Sequence, residues 1–138
     1  MELKKRIVAL DIGTKRIGVA TCDALWISTN PLKTINRNND KIALDEIKKI
    51  CQEYQTNTIL IGIPYNMDGT LGFQAKNCLK FIQPLRKDYV ILEQDERLSS
   101  STAEEILRSQ GKKYTKNKAL VDAMAATVIL NEYIKNNR

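Results

Sequence analysis

The stretch IVALDIGTKRIGVATCD, residues 7–23, constrains the fold most, because it contains two apolar strands joined by a short turn. The runs 6–12 and 16–22 are rich in isoleucine and valine, and the glycine-containing turn between them predicts a β-hairpin. The first run carries Asp11 at its end. An isolated charge in a buried strand is unfavourable, so this carboxylate needs a compensating partner.

The remaining sequence predicts further strands that alternate with helices. Pro31 suits an edge position or a strand start for the third strand, and both 58–63 and 89–94 have the continuous apolar character of strands buried on both faces of a sheet. The predicted strands are 6–12, 16–22, 31–35, 58–63 and 89–94. The predicted helices lie at 43–54, 71–82 with a break at Pro84, 102–111 and 118–135. This β-β-β-α-β-α-β-α-α order predicts an α/β fold with a mixed five-stranded sheet flanked by helices.

The last helix carries its apolar residues on one predicted face. That face consists of Val121, Met124, Ala125, Val128 and Ile129. Asp122 is the one acid between Glu105 and Glu132, and its position in the helix places it close to this apolar stripe.

Composition restricts the chemistry that the chain can perform. The 138 residues contain no histidine, which excludes serine–histidine and cysteine–histidine mechanisms. The three cysteines are widely spaced and form no CxxC pair, which disfavours a zinc site or a disulfide framework. Cys51 and Cys78 fall at apolar positions of helical patterns and are predicted to lie in the core.

Length, charge and the amino-terminal sequence give three further expectations. The length predicts a single domain over residues 1–138. An excess of 22 Lys and Arg over 16 Asp and Glu gives a net charge of +6, which favours nucleic acid as a partner. The apolar run 7–10 is too short for a signal peptide or a membrane span, so a cytoplasmic location is expected and no membrane contact.

Acidic residues lie in or next to three predicted elements, at positions where they could have either a structural or a functional role. They are Asp11 in the hairpin, the pair Asp95 and Glu96 after the last strand, and Asp122 in the last helix. Asp11 also suits a turn, the strand-end pair also suits a solvated surface, and Asp122 also suits a helix cap. If the three positions converge, a divalent cation would neutralise them. Oxygen ligands without histidine favour Mg²⁺ or Mn²⁺, and two such ions would support phosphodiester hydrolysis.

Four segments resemble the YqgF/RuvX family in order and spacing. They are LDIGTKRIGVATCD (10–23), IGIPYNMDGTLGFQA (61–75), DERLSSSTAEEIL (95–107) and VDAMAATVIL (121–130). Members of this family are described as pre-16S rRNA nucleases and as Holliday junction resolvases. The resemblance implies a ribonuclease-H-like fold and a metal-dependent nuclease that processes the 5′ end of pre-16S rRNA. Resolution of four-way DNA and non-catalytic binding of nucleic acid are the alternatives.

The same resemblance implies which residues form the active site. Asp11, Glu96 and Asp122 would be the catalytic, metal-binding acids, with Asp95 as the alternate to Glu96. Basic residues near them are expected to bind the nucleic-acid backbone, although the lysine-rich loop also suits plain solvation. These residues are Lys15, Arg16, Arg97, Lys112, Lys113, Lys116 and Lys118. The chain is expected to be a monomer or a homodimer, since cutting a symmetric junction in concert needs two copies.

Overall fold

The computed structural model describes residues 5–96 and 118–137. The strands in these ranges are β1 Val8–Ile12, β2 Arg16–Cys22, β3 Thr29–Asn36, β4 Thr58–Ile63 and β5 Val90–Asp95. The helices are α1 Asp40–Glu53, α2 Phe73–Ile82 and α3 Lys118–Asn137, and a 3₁₀ turn Gln83–Leu85 follows α2. The helix predicted at 102–111 lies outside the described residues.

The five strands form one mixed sheet in the order β3-β2-β1-β4-β5. Strand β1 pairs antiparallel with β2 and parallel with β4, so it lies at the centre of the sheet. Strand β2 pairs antiparallel with β3, and β4 pairs parallel with β5. The mixed five-stranded sheet predicted from the sequence is confirmed.

Local sequence signals explain where several elements begin and end. The hairpin turn closes with a hydrogen bond of 2.9 Å from the Gly13 N–H to the Arg16 carbonyl. The side chain of Asn39 accepts a hydrogen bond from the Ile42 N–H at 3.1 Å and caps the start of α1. Helix α2 ends just before Pro84, where proline cannot continue the hydrogen-bond ladder.

Two hydrophobic cores cover the two faces of the sheet. On one face, α1 and α2 pack on alternate residues of β1, β2 and β4, and this core contains the buried Cys51 and Cys78 as predicted. On the other face, α3 packs on Ala9, Ala20 and Leu60. Because successive side chains of a strand point to opposite faces, Asp11, which follows Ala9 by two residues, lies on the α3 face.

Two expectations about burial and boundaries were wrong. The segment 89–94 was expected to be a strand buried on both faces, yet β5 is an edge strand and Val90 is 44% exposed. Its apolar residues pack at the rim of the two cores because β4 is its one neighbour in the sheet. Leu71 was expected in the second helix but lies two residues before it and is exposed.

The buried face of α3 also differs from the predicted one. Val121, Met124 and Ala125 are partly exposed, whereas Val128 and Ile129 are buried as expected. The other buried residues from 121 onward are Ala123, Ala126, Thr127, Leu130 and Ile134. Near the start of α3 the small side chains of Ala123 and Ala126 face the sheet, and they let the helix backbone approach it closely. No helix of the described ranges is long and apolar enough to cross a membrane.

Candidate active site

Asp11 lies in the central strand at its carboxyl end, on the face that α3 covers. The strand beside it contributes Gly18, which pairs directly with Asp11. Burial, and secondarily the nearby negative charge of Asp122, raise the pKa of Asp11 from its ordinary value of 3.8 to about 6. The carboxylate is therefore desolvated and close to a like charge, a position that favours the binding of a cation.

Asp122 reaches this position because α3 crosses the sheet at a glycine. A Cβ atom at position 18 would overlap the backbone carbonyl of Asp122 and approach the Ala123 nitrogen. Since glycine has no side chain, the helix backbone lies directly on β2 and carries the Asp122 side chain to the neighbourhood of Asp11.

Glu96 reaches the same face from the opposite side of Asp11. It follows β5, and its N–H donates a hydrogen bond of 3.0 Å to the Ile63 carbonyl. A Cβ atom at position 62 would overlap the Glu96 carboxyl group, so this side chain lies over Gly62 of β4. Strand alternation puts Asp95, which pairs with Ile63, on the other face, where it is exposed. The geometry therefore favours Glu96 over Asp95 as the partner of Asp11.

The charge of Asp122 is paired with an arginine of the hairpin. The Arg16 Nε donates to the Asp122 Oδ2 at 2.7 Å, and the two side chains are 40% and 22% exposed. Within residues 5–96 and 118–137, no three acidic or cysteine side chains lie close enough together to form a complete metal site. Asp11, Glu96 and Asp122 thus share one face and one end of the sheet, but they are not gathered around one point.

The hairpin turn beside the acids is held by Arg37, which follows β3. The Arg37 Nη1 donates to the Gly13 carbonyl at 2.7 Å, and the Arg37 N–H donates to the Lys15 carbonyl at 2.9 Å. Its guanidinium also lies 4.4 Å from the centre of the Phe81 ring. Lys15 is exposed at the tip of the turn, so its ammonium is open to solvent at the edge of the site.

The predicted basic residues divide into described and undescribed ones. Lys15 and Arg16 lie on the turn next to the acids, and Lys118 is the first residue of α3. The remaining predicted contacts lie outside the described residues. They are Arg97, Lys112, Lys113 and Lys116.

The site also depends on Gly18, Gly62 and Arg37, which sequence reasoning missed. The two glycines interrupt apolar strand patterns, and a glycine inside a strand is a recognised signal that another group approaches the backbone closely. Arg37 had no such signal: it pairs locally with Asp40, but its partners on the hairpin turn and on α2 are far away in the sequence.

The fold of the described residues is shared with two proteins whose solved structures contain a Holliday junction. One is the fowlpox virus resolvase in complex with Holliday junction DNA, with a TM-score of 0.59, 13% identity and coverage of 95% of this chain and 97% of that chain. Another is Thermus thermophilus RuvC with a Holliday junction substrate, with a TM-score of 0.52, 12% identity and coverage of 96% of both chains. At these identities the likeness establishes the ribonuclease-H-like fold alone.

Sequence similarity is much higher to bacterial relatives. A protein of Crocosphaera subtropica named "Putative pre-16S rRNA nuclease" is 42% identical over 95% of this chain and 93% of its own length. A protein of Clostridium acetobutylicum with the same name is 38% identical over 95% of this chain and 98% of its own length. Residues 5–136 match the family described as RuvX, Holliday junction resolvase. The chain therefore belongs to the RuvX family, as the four sequence segments predicted.

Proposed function

We propose that this protein is a divalent-metal-dependent nuclease that hydrolyses phosphodiester bonds of pre-16S rRNA. The observation that carries the proposal is that Asp11, Glu96 and Asp122 lie on one face and at one end of the sheet, with glycines on both neighbouring strands that leave room for the two flanking acids. Membership of the RuvX family and the names of the bacterial relatives support the same activity. The substrate implies a cytoplasmic protein.

The donor atoms at the site suit a hard cation. Carboxylate oxygens are the ligands that Mg²⁺ and Mn²⁺ prefer, and a desolvated carboxylate beside a like charge is stabilised by positive charge. Asp11 would be the central ligand, with Glu96 and Asp122 on either side. One or two divalent ions bound by these residues would activate water and neutralise phosphate charge.

The protein residues then have separate tasks. Burial and Asp122 raise the pKa of Asp11 to about 6, which is still below 7, so the carboxyl group is mostly ionised at neutral pH. Lys15 and Arg16 bind phosphates of the backbone beside the acids. Because the chain has no histidine, the proton released in hydrolysis goes to a carboxylate, to the substrate phosphate or to bulk water.

Four-way DNA is the second candidate substrate, and the description of the family favours it. Its symmetric cleavage would need two copies of the chain in one complex, whereas trimming of an rRNA end needs one. A non-catalytic binding role is less favourable, because clustered carboxylates weaken binding of a polyanion when no cation is present.

The proposal is tested by comparing wild type, Asp11→Asn and Asp45→Asn on labelled pre-16S rRNA 5′ ends and on synthetic four-way junctions. Asp45 is exposed on α1, so its variant makes the same chemical change outside the site. Each protein is assayed with Mn²⁺ and with EDTA. We expect cleavage of the rRNA by wild type and Asp45→Asn with Mn²⁺, and none by Asp11→Asn.

Two results would reject parts of the proposal. Cleavage of junctions but not of rRNA would show that four-way DNA is the substrate, and the proposed metal-dependent hydrolysis would stand. If all three proteins bind the nucleic acids equally and none cleaves them with any metal, the protein is a nucleic-acid-binding factor and not an enzyme.

A further inference from the structure

The ion pair between Arg16 and Asp122 joins the hairpin to α3 across the candidate active site. The two residues are 106 positions apart, and the hydrogen bond of 2.7 Å is short, as expected for a charged donor and acceptor. Asp122 also interacts electrostatically with Asp11. In this arrangement the guanidinium supplies the positive charge that the two neighbouring carboxylates need.

A divalent ion that uses Asp122 as a ligand must compete with this arginine. If the Asp122 Oδ2 atom binds both the guanidinium and a metal ion, each of the two interactions is weaker than it would be alone. Positive charge on Arg16 would also repel an ion at the same place. Release of the arginine is structurally feasible, because its side chain is 40% exposed and its backbone stays fixed in β2 by the pair with Asn36.

The released guanidinium has an evident new partner. Its planar set of donors fits phosphate as well as carboxylate, and it lies next to the exposed Lys15 at the edge of the site. We propose that Arg16 is an exchangeable counter-ion: it neutralises Asp122 until a divalent ion binds, and it then moves to a phosphate of the nucleic-acid backbone. This inference rests on the proposed function of the same site.

The exchange couples two binding events. The ion frees Arg16 for the backbone, and a backbone phosphate that engages Arg16 frees Asp122 for the ion. By thermodynamic reciprocity each ligand then raises the affinity for the other by the same factor. In the free protein Arg16 reduces the repulsion between Asp11 and Asp122. When nucleic acid binds Arg16, Asp122 becomes available as a metal ligand.

The first test measures Mn²⁺ affinity by electron paramagnetic resonance without nucleic acid, for wild type, Arg16→Gln and Lys15→Gln. Both variants lose one positive charge from the same turn, but only Arg16→Gln loses the ion pair. We expect Arg16→Gln to bind Mn²⁺ about 5-fold tighter than Lys15→Gln, the lower end of ordinary coupling between sites. Arg16→Lys, which keeps the charge, should bind Mn²⁺ less tightly than Arg16→Gln.

The second test measures binding of a labelled RNA with Ca²⁺ and with EDTA. The gain in RNA affinity on adding Ca²⁺ should be smaller for Arg16→Gln than for Lys15→Gln. If Arg16→Gln binds Mn²⁺ no tighter than Lys15→Gln while Asp11→Asn abolishes Mn²⁺ binding, the exchange is wrong and the nuclease proposal stands. If wild type and every variant fail to bind Mn²⁺, the exchange and the metal-dependent nuclease are both wrong.

Discussion

The carboxyl group of Glu96 occupies the space in which a side chain at Gly62 would begin. On the other side of β1, Gly18 has the corresponding relation to Asp122, except that the group above it is backbone. Asp11 pairs with Gly18 and lies in the strand between them. The two glycines therefore make room for two acids in different ways, one by admitting a flexible side chain and one by admitting a helix.

Gly62→Ala should reduce activity much more than stability. The new methyl group must displace the Glu96 side chain, which can rotate away, so the free energy of unfolding should fall by less than about 1 kcal/mol. Cleavage of the labelled substrate with Mn²⁺ should fall by at least about tenfold, in line with the loss of a positioned charged group. Urea denaturation and a cleavage assay measure the two effects. Unchanged cleavage would show that Glu96 takes no part in the reaction.

Gly18→Ala should reduce both stability and activity. The added methyl group meets the α3 backbone at Asp122, which cannot move without shifting the helix. Overpacking of this kind lowers the free energy of unfolding by about 1–3 kcal/mol. Urea denaturation of the variant beside Gly62→Ala gives the comparison. A Gly18→Ala protein as stable as wild type would contradict the direct contact between the α3 backbone and β2.

Asp11 should make the metal-free protein less stable as the pH rises from 4 to 6. Its pKa is about 6 in the folded protein against 3.8 ordinarily, so in this range the folded state binds more protons than the unfolded state. The contribution of Asp11 to stability is therefore greatest when its carboxyl group is protonated. The pKa of Asp11 differs by about two units between the folded and unfolded states, and each unit corresponds to about 1.4 kcal/mol. Because the carboxyl group is not completely shielded from solvent, we expect Asp11 to lower the free energy of unfolding by about 2 kcal/mol when it is ionised.

Asp11→Asn removes this penalty and isolates it from the other acids. In EDTA the variant should be more stable than wild type by about 2 kcal/mol at pH 7.5 and nearly equal to it at pH 4. Urea denaturation at the two pH values measures the difference. A difference that is the same at both values would contradict the raised pKa.

Arg37→Lys should loosen the hairpin turn. The lysine keeps the charge but loses the fork that binds the Gly13 carbonyl and the Asn77 Oδ1, and the Arg37 side chain is only 7% exposed. We expect the free energy of unfolding to fall by about 1.5–3 kcal/mol, the range for hydrogen bonds to charged groups. Arg86→Lys is the control, because its pair with Glu93 lies at the surface and should contribute under about 1 kcal/mol. If the free energy of unfolding falls equally in the two variants, the hydrogen bonds of Arg37 contribute no more to stability than a surface ion pair does.

Phe73→Ala should weaken binding of single-stranded nucleic acid without affecting the fold. The ring is 82% exposed, and the adjacent Gln74 donates to the Ile12 carbonyl at 2.8 Å, which places the start of α2 beside the end of β1. Stacking of one base on this ring would contribute about 1–3 kcal/mol. Fluorescence anisotropy with a labelled RNA in Ca²⁺ measures the loss. Ile42→Ala, on the exposed side of α1, is the control, and an equal loss in both variants would exclude stacking on Phe73.

Local patterns were sufficient for the hairpin and for β4, because these features depend on neighbours in the sequence. The same patterns predicted that Asp11 needs a partner, but not which group supplies the charge. Arg16 and Asp122 meet only after α3 has packed on the sheet. The edge position of β5 was missed for a related reason: an apolar run in the sequence indicates a strand, but it does not indicate how many strands pair with it.

The late position of Asp122 in the chain has a consequence for protein synthesis. The hairpin with Asp11 and its basic turn leaves the ribosome first, whereas Asp122 follows Arg16 by 106 positions, so the acids cannot meet in an incomplete chain. A nascent polypeptide that ends before position 122 contains the basic hairpin turn but not all three carboxylates. The active site proposed above is thus incomplete until α3 has been translated.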